Sequence, residues 1–135
     1  MTESKTFFDT AIFIYALEEK DPNARSLIYE RMKQGKVGTS VITLMEYAVG
    51  CIKHNKQEDL NKFNSFLKDF MFEIKNIDVE VSIEAAKIRA EYPSFKPMDS
   101  LQIASAKVAG ADTFCTNDKQ LLQYENESIK VIALK

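Results

Sequence analysis

Histidine is almost missing from this chain: His54 is the only one in 135 residues. A Ser-His-Asp triad would have to use it, and a zinc site ordinarily wants more nitrogen or sulfur than one imidazole offers. Cysteine is nearly as scarce. Cys51 and Cys115 form no CxxC pair, which removes thiol-based metal and redox motifs and leaves two reduced thiols in or near the core. Positive charge is not in excess either. Eighteen Lys and Arg stand against 20 Asp and Glu, a formal net charge of -2, which argues against a generally basic, phosphate-hugging surface. Any catalysis must therefore run on carboxylates, and clustered acids would themselves pull the net charge downward.

The uninterrupted apolar run Ala11 to Leu17 is far too short to span a bilayer, and no basic segment leading into an apolar one opens the sequence. The expectation is no membrane association and a cytoplasmic location. Three prolines, four glycines, 45% hydrophobic and 28% charged residues describe an ordinary globular chain rather than a disordered or fibrous one. Without a linker, repeat or low-complexity segment, 135 residues are expected to form a single domain over 1–135.

The stretch Thr6 to Leu17, TFFDTAIFIYAL, sets the pattern of the chain. Phe7 and Phe8 suit a buried strand, Asp9 interrupts it, and Ala11 to Leu17 suits the start of a packed helix. An acid there is costly unless something pairs with it. In parallel α/β sheets ligands sit beyond the carboxyl ends of strands, which is where Asp9 stands. Asp21-Pro22 then opens a helix with Ala24, Leu27, Ile28 and Met32 at helical spacing, closed by Gly35. Lys36 to Ser40 is a second strand and Ile42 to Cys51 a helix that carries Glu46. A polar loop, 53–59, leads to a helix whose Leu60, Phe63, Phe66, Leu67, Phe70 and Met71 form one apolar stripe, a core or partner-binding face.

Phe72 to Ile77 reads as a third strand, and Asp78 as the cap of a helix on which Ile83, Ala86 and Ala90 share a face. Pro97 opens the next helix, with Asp99 in its first turn and a small-residue apolar body from Leu101 to Ala109 that suits central burial. Thr113 to Cys115 is a short strand running into Thr116-Asn117-Asp118, and Ile129 to Leu134 is the last strand. Strands alternating with helices predict an α/β fold, a three-layer α/β/α sandwich with a mostly parallel central sheet.

Each acid alone has an ordinary reading: Glu46 as a solvent-facing glutamate, Asp99 as compensation of a helix dipole, Asp118 as a helix cap. Together they read differently. In a parallel sheet Asp9 and Asp118 emerge at the same edge; if their strands are neighbours and the central helix starts beside them, Asp9, Asp99 and Asp118 converge, with Glu46 reaching in from its helix. Four carboxylates so close raise one another's pKa. A divalent cation resolves the conflict, and hard oxygen ligands without His or Cys suit Mg²⁺ or Mn²⁺.

FFDTAIFIYAL, then Glu46 within TSVITLMEYAVG, then KPMDSLQIASA, then FCTND, resemble the ordered acidic motifs of PIN-domain ribonucleases, particularly the VapC-type toxins of toxin-antitoxin pairs. The resemblance runs from Thr6 to about Ile132. It implies a PIN-like fold and a divalent-metal-dependent endoribonuclease that hydrolyses RNA phosphodiester bonds. Carried over by position, it makes Asp9, Glu46, Asp99 and Asp118 the catalytic, metal-holding acids, with Thr116, Asn117 and Thr10 in support. It further implies a homodimer and an antitoxin protein that blocks the site. In one place the chain departs from the family, which usually has Asn or another polar residue two positions after the first acid; here it is Ala11. Lys33, Lys36, Lys53, Lys56 and Lys96 are candidates for phosphate contacts.

Other readings compete. A phosphatase using an Asp-x-Asp nucleophile is disfavoured by Ala11, and a phospho-receiver would want adjacent acids after the first strand. The alternative that keeps the fold is a weak or inactive PIN-like module that binds protein or RNA, with the Phe63 to Phe70 helix as the candidate surface.

Overall fold

The structure is a computed structural model that describes residues 3–134. Five strands, β1 (Ser4–Phe8), β2 (Gly35–Ser40), β3 (Glu73–Lys75), β4 (Thr113–Thr116) and β5 (Lys130–Ala133), form one sheet in the order β3-β2-β1-β4-β5. Every neighbouring pair is parallel. The chain winds outward from β1 through β2 to β3, then returns to the other side of β1 for β4 and β5. That reversal puts a crevice at the carboxyl ends of β1 and β4, the place where such sheets bind ligands.

Side-chain alternation along the strands divides the molecule into three layers. Phe7, Phe114 and Val131 point to one face, where α5 (Val79–Glu91) and α6 (Pro97–Val108) cover them. Phe8, Val37 and Cys115 point to the other, beneath α1 (Thr10–Phe13), α2 (Pro22–Gln34), α3 (Val41–Lys53) and α4 (Gln57–Asp69). The predicted α/β/α sandwich is the observed one, with a sheet that is parallel throughout. Both cysteines are buried thiols.

The second core is built on aromatic edges. Phe13 meets Phe8, Phe63 and Phe72 with ring centroids 5.8, 5.4 and 5.6 Å apart, and Tyr47 stacks on Phe63 at 3.9 Å. Each buried aromatic of this kind contributes about 1.5–3 kcal/mol through area removed from water. The cluster pins α3 and α4 to α1, and so fixes the helix on which Glu46 sits next to Tyr47. On the opposite face, Gly38 lies so close under Phe7 that a Cβ there would come within 2.4 Å of the ring.

Several expectations shift. The first helix begins at Thr10 and runs on as a π-helical turn, Ile14–Glu18. The third strand is shorter than Phe72 to Ile77, because β2 ends at Ser40 opposite Lys75 and leaves Asn76 and Ile77 no ladder to join. The loop before α4 shrinks to 54–56, turned by Asn55 at φ 55, with Glu58 and Asp59 taking up the first turn of α4 where a helix N-terminus favours acids. Phe70 and Met71 fall beyond the end of α4, so they leave the buried stripe and stand exposed. The face of α5 is corrected outright: Val81, Ala85 and Ile88 are buried against α6, while Ile83, Ala86 and Ala90 face solvent. Apolar residues occur on both sides of this helix, and packing against α6 decides between them. Among the described residues no helix is long and apolar enough to cross a membrane.

Candidate active site

Asp9 is the residue that leaves β1. Its backbone N–H donates to the Cys115 carbonyl of β4 at 3.0 Å, so the sheet ladder holds the first acid directly beside the end of β4. One carboxylate oxygen of Asp9 accepts from the Thr116 hydroxyl. The other, Oδ1, is buried and has no hydrogen-bond partner. Burial pushes the Asp9 carboxyl up to about 6; the Thr116 hydroxyl and the nearby Ile12 and Ala11 amides oppose that shift without closing a helix cap, and the Asp99 charge adds to it.

The other three acids arrive from separate elements. Asp99, in the first turn of α6, is half-buried; burial raises its pKa, the charges of Asp118 and Glu46 raise it further, and Lys96 pulls it back. Glu46 projects from α3 and accepts from the Thr10 hydroxyl at 2.5 Å. Asp118 follows β4: its N–H donates to Thr116 Oγ1 at 3.0 Å, and its Oδ1 caps the 3-10 turn Lys119–Gln123 through the Gln120 N–H at 3.0 Å. All four line one cleft of about 350 Å³, together with Thr10, Ala11, Ile14, Met98 and Gln102. Among the described residues no three His, Cys, Asp or Glu side chains are already grouped tightly enough to hold an ion.

The supporting residues divide. Thr116 and Thr10 each touch an acid, as above. Asn117 does not: its amide donates to the Tyr15 hydroxyl at 3.3 Å, which turns it out of the cleft toward the far side of the β4–α1 wall. Of the lysines, Lys96 stands beside Asp99. Lys33, paired with Glu30 at 3.3 Å, and Lys36 lie at the amino end of β2, the opposite edge of the sheet from the acids. Lys56 faces Glu18 at 3.8 Å.

Beneath the cleft lies a buried polar layer that sequence reasoning did not reach. Ser40 donates to Gln102 Oε1 at 2.8 Å, and Gln102 Nε2 donates to Thr43 at 2.9 Å and to Thr10 at 3.4 Å. The Thr39 hydroxyl donates to the Phe8 carbonyl at 2.7 Å and lies 2.8 Å from Thr43. Because the Thr39 proton goes to that carbonyl, Thr43 supplies the proton between the two hydroxyls. The signal was the spacing: Thr43 precedes Glu46 by three residues on α3 and Gln102 follows Asp99 by three on α6, so each lies on the same helix face as an acid.

The chemistry of this donor set is plain. Four hard carboxylates face one space whose lining holds no His or Cys, one with a buried unpaired oxygen, which suits a hard divalent cation.

The fold is shared with known proteins. Three solved assemblies contain a chain of the same fold. VapBC2 from Rickettsia felis, bound to a DNA fragment from their promoter, matches with a TM-score of 0.79 and 20% identity over 96% of this chain and 98% of that one. DNA-bound VapBC from Salmonella typhimurium gives 0.77 and 22% over 98% and 99%. A toxin-antitoxin complex from Klebsiella pneumoniae gives 0.77 and 22% over 96% and 98%. No curated protein sequence matches the chain. The sequence profile of the PIN domain matches residues 6–127, and the chain belongs to the PIN domain family.

Proposed function

We propose that the chain is a divalent-metal-dependent endoribonuclease that acts as the toxin of a toxin-antitoxin pair. The observation that carries this reading is the cleft at the carboxyl ends of β1 and β4, where Asp9, Glu46, Asp99 and Asp118 share one wall and Asp9 Oδ1 is buried without a partner. Asp9 and Asp99 are the proposed direct holders of Mg²⁺ or Mn²⁺. When bound, the ion supplies an activated water for in-line attack on phosphorus and stabilises the charge that develops on the phosphoryl oxygens.

The chain's own residues do the remaining work. Thr116 keeps one Asp9 oxygen occupied, which leaves Oδ1 for the cleft. Glu46, held by Thr10, and Asp118, with one oxygen used as a cap, complete the acid set and are the proposed acceptors of the proton that the attacking water would lose. Among the described residues no three acids are drawn together tightly enough to hold an ion, so Asp99 and Asp118 would turn toward Asp9 on binding while Glu46 keeps its Thr10 bond. Lys96, whose charge acts on Asp99, is assigned to a substrate phosphate. Single-stranded RNA is the proposed substrate, by family resemblance.

An antitoxin partner is supported by the neighbours solved as toxin-antitoxin complexes. It is also supported by an apolar groove of about 230 Å³ between the π-helical turn, α2 and α4, bordered by the exposed Tyr29 and Phe70. A homodimer is supported by Met45, Val49 and Ile52, exposed along one face of α3.

The deciding experiment is cleavage of a panel of small RNAs with Mn²⁺, with EDTA, and by Asp99→Asn. Cleavage is expected in the first condition alone. Equal cleavage by the variant would assign the activity to a contaminating nuclease.

A further inference from the structure

We propose that Gln102 is a positioning residue of this site, acting on Glu46 through Thr10; the role rests on the metal-dependent reading above. Gln102 is a buried amide in the middle of α6, and among the described residues it is the one side chain whose hydrogen bonds tie the helix of Asp99 to both β2 and α3. Its two ends are told apart by their partners. Ser40 Oγ already accepts from the Ile42 N–H at 3.1 Å and gives its own proton to Gln102 Oε1. Thr43, whose own proton goes to Thr39, can only accept from Gln102, so the amide end faces Thr43 and Thr10 and the carbonyl end takes the Ser40 proton.

That orientation decides where the Thr10 proton goes. Thr43, 3.3 Å from Thr10, receives its hydrogen bond from Gln102 and passes its own proton to Thr39. Thr10 receives the second amide hydrogen at 3.4 Å. With the Thr10 oxygen supplied by that amide, its proton goes to the carboxylate oxygen Glu46 Oε1 at 2.5 Å, a nearer and stronger acceptor than the Thr43 hydroxyl at 3.3 Å. Gln102 thus orients Glu46 in the cleft without touching it, and ties its helix to that of Asp99. A purely packing role would need none of this directionality.

The test uses the full chain and three variants. Gln102→Glu keeps the shape and the Ser40 bond but replaces the donor with an acceptor, which competes with Glu46 for the Thr10 proton. Gln102→Met removes the amide while preserving volume and guards against a variant that fails to fold. Thr10→Val removes the intermediary. In Mn²⁺ titrations and in RNA turnover, Gln102→Glu and Thr10→Val should each lose about 10- to 100-fold in affinity and kcat, with Gln102→Met between them and wild type and the RNA KM little changed. The double variant Thr10→Val/Gln102→Glu should lose no more than Thr10→Val alone, because the two act in series. In metal-free crystals the Glu46 carboxylate should leave its wild-type position in both Gln102→Glu and Thr10→Val.

Additive losses in the double variant, or a Glu46 that stays in place, would overturn the inference. A wild-type protein that cleaves no RNA would remove the proposed function instead, and the metal-free crystals would still decide the role of Gln102.

Discussion

Thr116, the last residue of β4, donates its hydroxyl proton to the carboxylate of Asp9, the first residue after β1. The same hydroxyl oxygen accepts the N–H of Asp118 at 3.0 Å. One buried side chain therefore sets the spacing between the first and the last acid of the chain, across two strands that are neighbours only because the topology reverses at β1.

Replacing that hydroxyl should damage the site more than the fold. Thr116→Val leaves Asp9 and the Asp118 N–H without their shared partner, and is expected to lower Mn²⁺ affinity and RNA turnover by about 10- to 100-fold. Thr116→Ser retains the hydroxyl and should recover most of both. Calorimetric titration and single-turnover cleavage measure the two losses; a Val variant equal to wild type in both would remove Thr116 from the site.

The raised pKa of Asp9 makes a signed prediction for the metal-free protein. The unfolded acid ionises near 3.8 and the native one near about 6. Between these values the native state holds more protons, so the Asp9 contribution to stability falls as pH rises through that window and stays low above it. Asp9→Asn removes the slope. In denaturant melts with EDTA the variant should exceed wild type at pH 7 by up to about 3 kcal/mol, and the difference should close toward pH 4. A difference that does not change with pH would contradict the account of Asp9 as a buried, unsatisfied acid.

Helix α5 supplies a test of the fold. Ile88 is buried and Ile83 is 55% exposed. Ile88→Ala should cost about 2–5 kcal/mol in chemical denaturation, as a buried truncation does, and Ile83→Ala about 0.5 kcal/mol or less. The reverse order would restore the face suggested by sequence spacing alone.

That helix also marks where sequence reading stops. Phe7, Phe8 and Asp9 are legible because an apolar strand ending in an acid has few uses, and Phe114-Cys115-Thr116 followed by Asp118 repeats the form. The layer order follows from strands alternating with helices. The buried face of α5 is not legible, because Ile83 and Ile88 are equally apolar and only the surface of α6 distinguishes them. Gln102 and Thr43 are not legible as a pair either, since their bond joins residues 59 positions apart. Asn117 misleads for a related reason: it is adjacent in sequence to both Thr116 and Asp118, but in an extended segment neighbouring side chains point to opposite sides, and its amide reaches Tyr15 instead.

The central claim is that the four acids form a divalent-cation site around Asp9. Calorimetric titration of Mn²⁺ into the metal-free protein tests it most directly, with Asp99→Asn alongside. Wild type should bind, and Asp99→Asn should bind at least about tenfold more weakly. No heat of binding to the wild-type protein at millimolar Mn²⁺, or equal affinity in the variant, would contradict it.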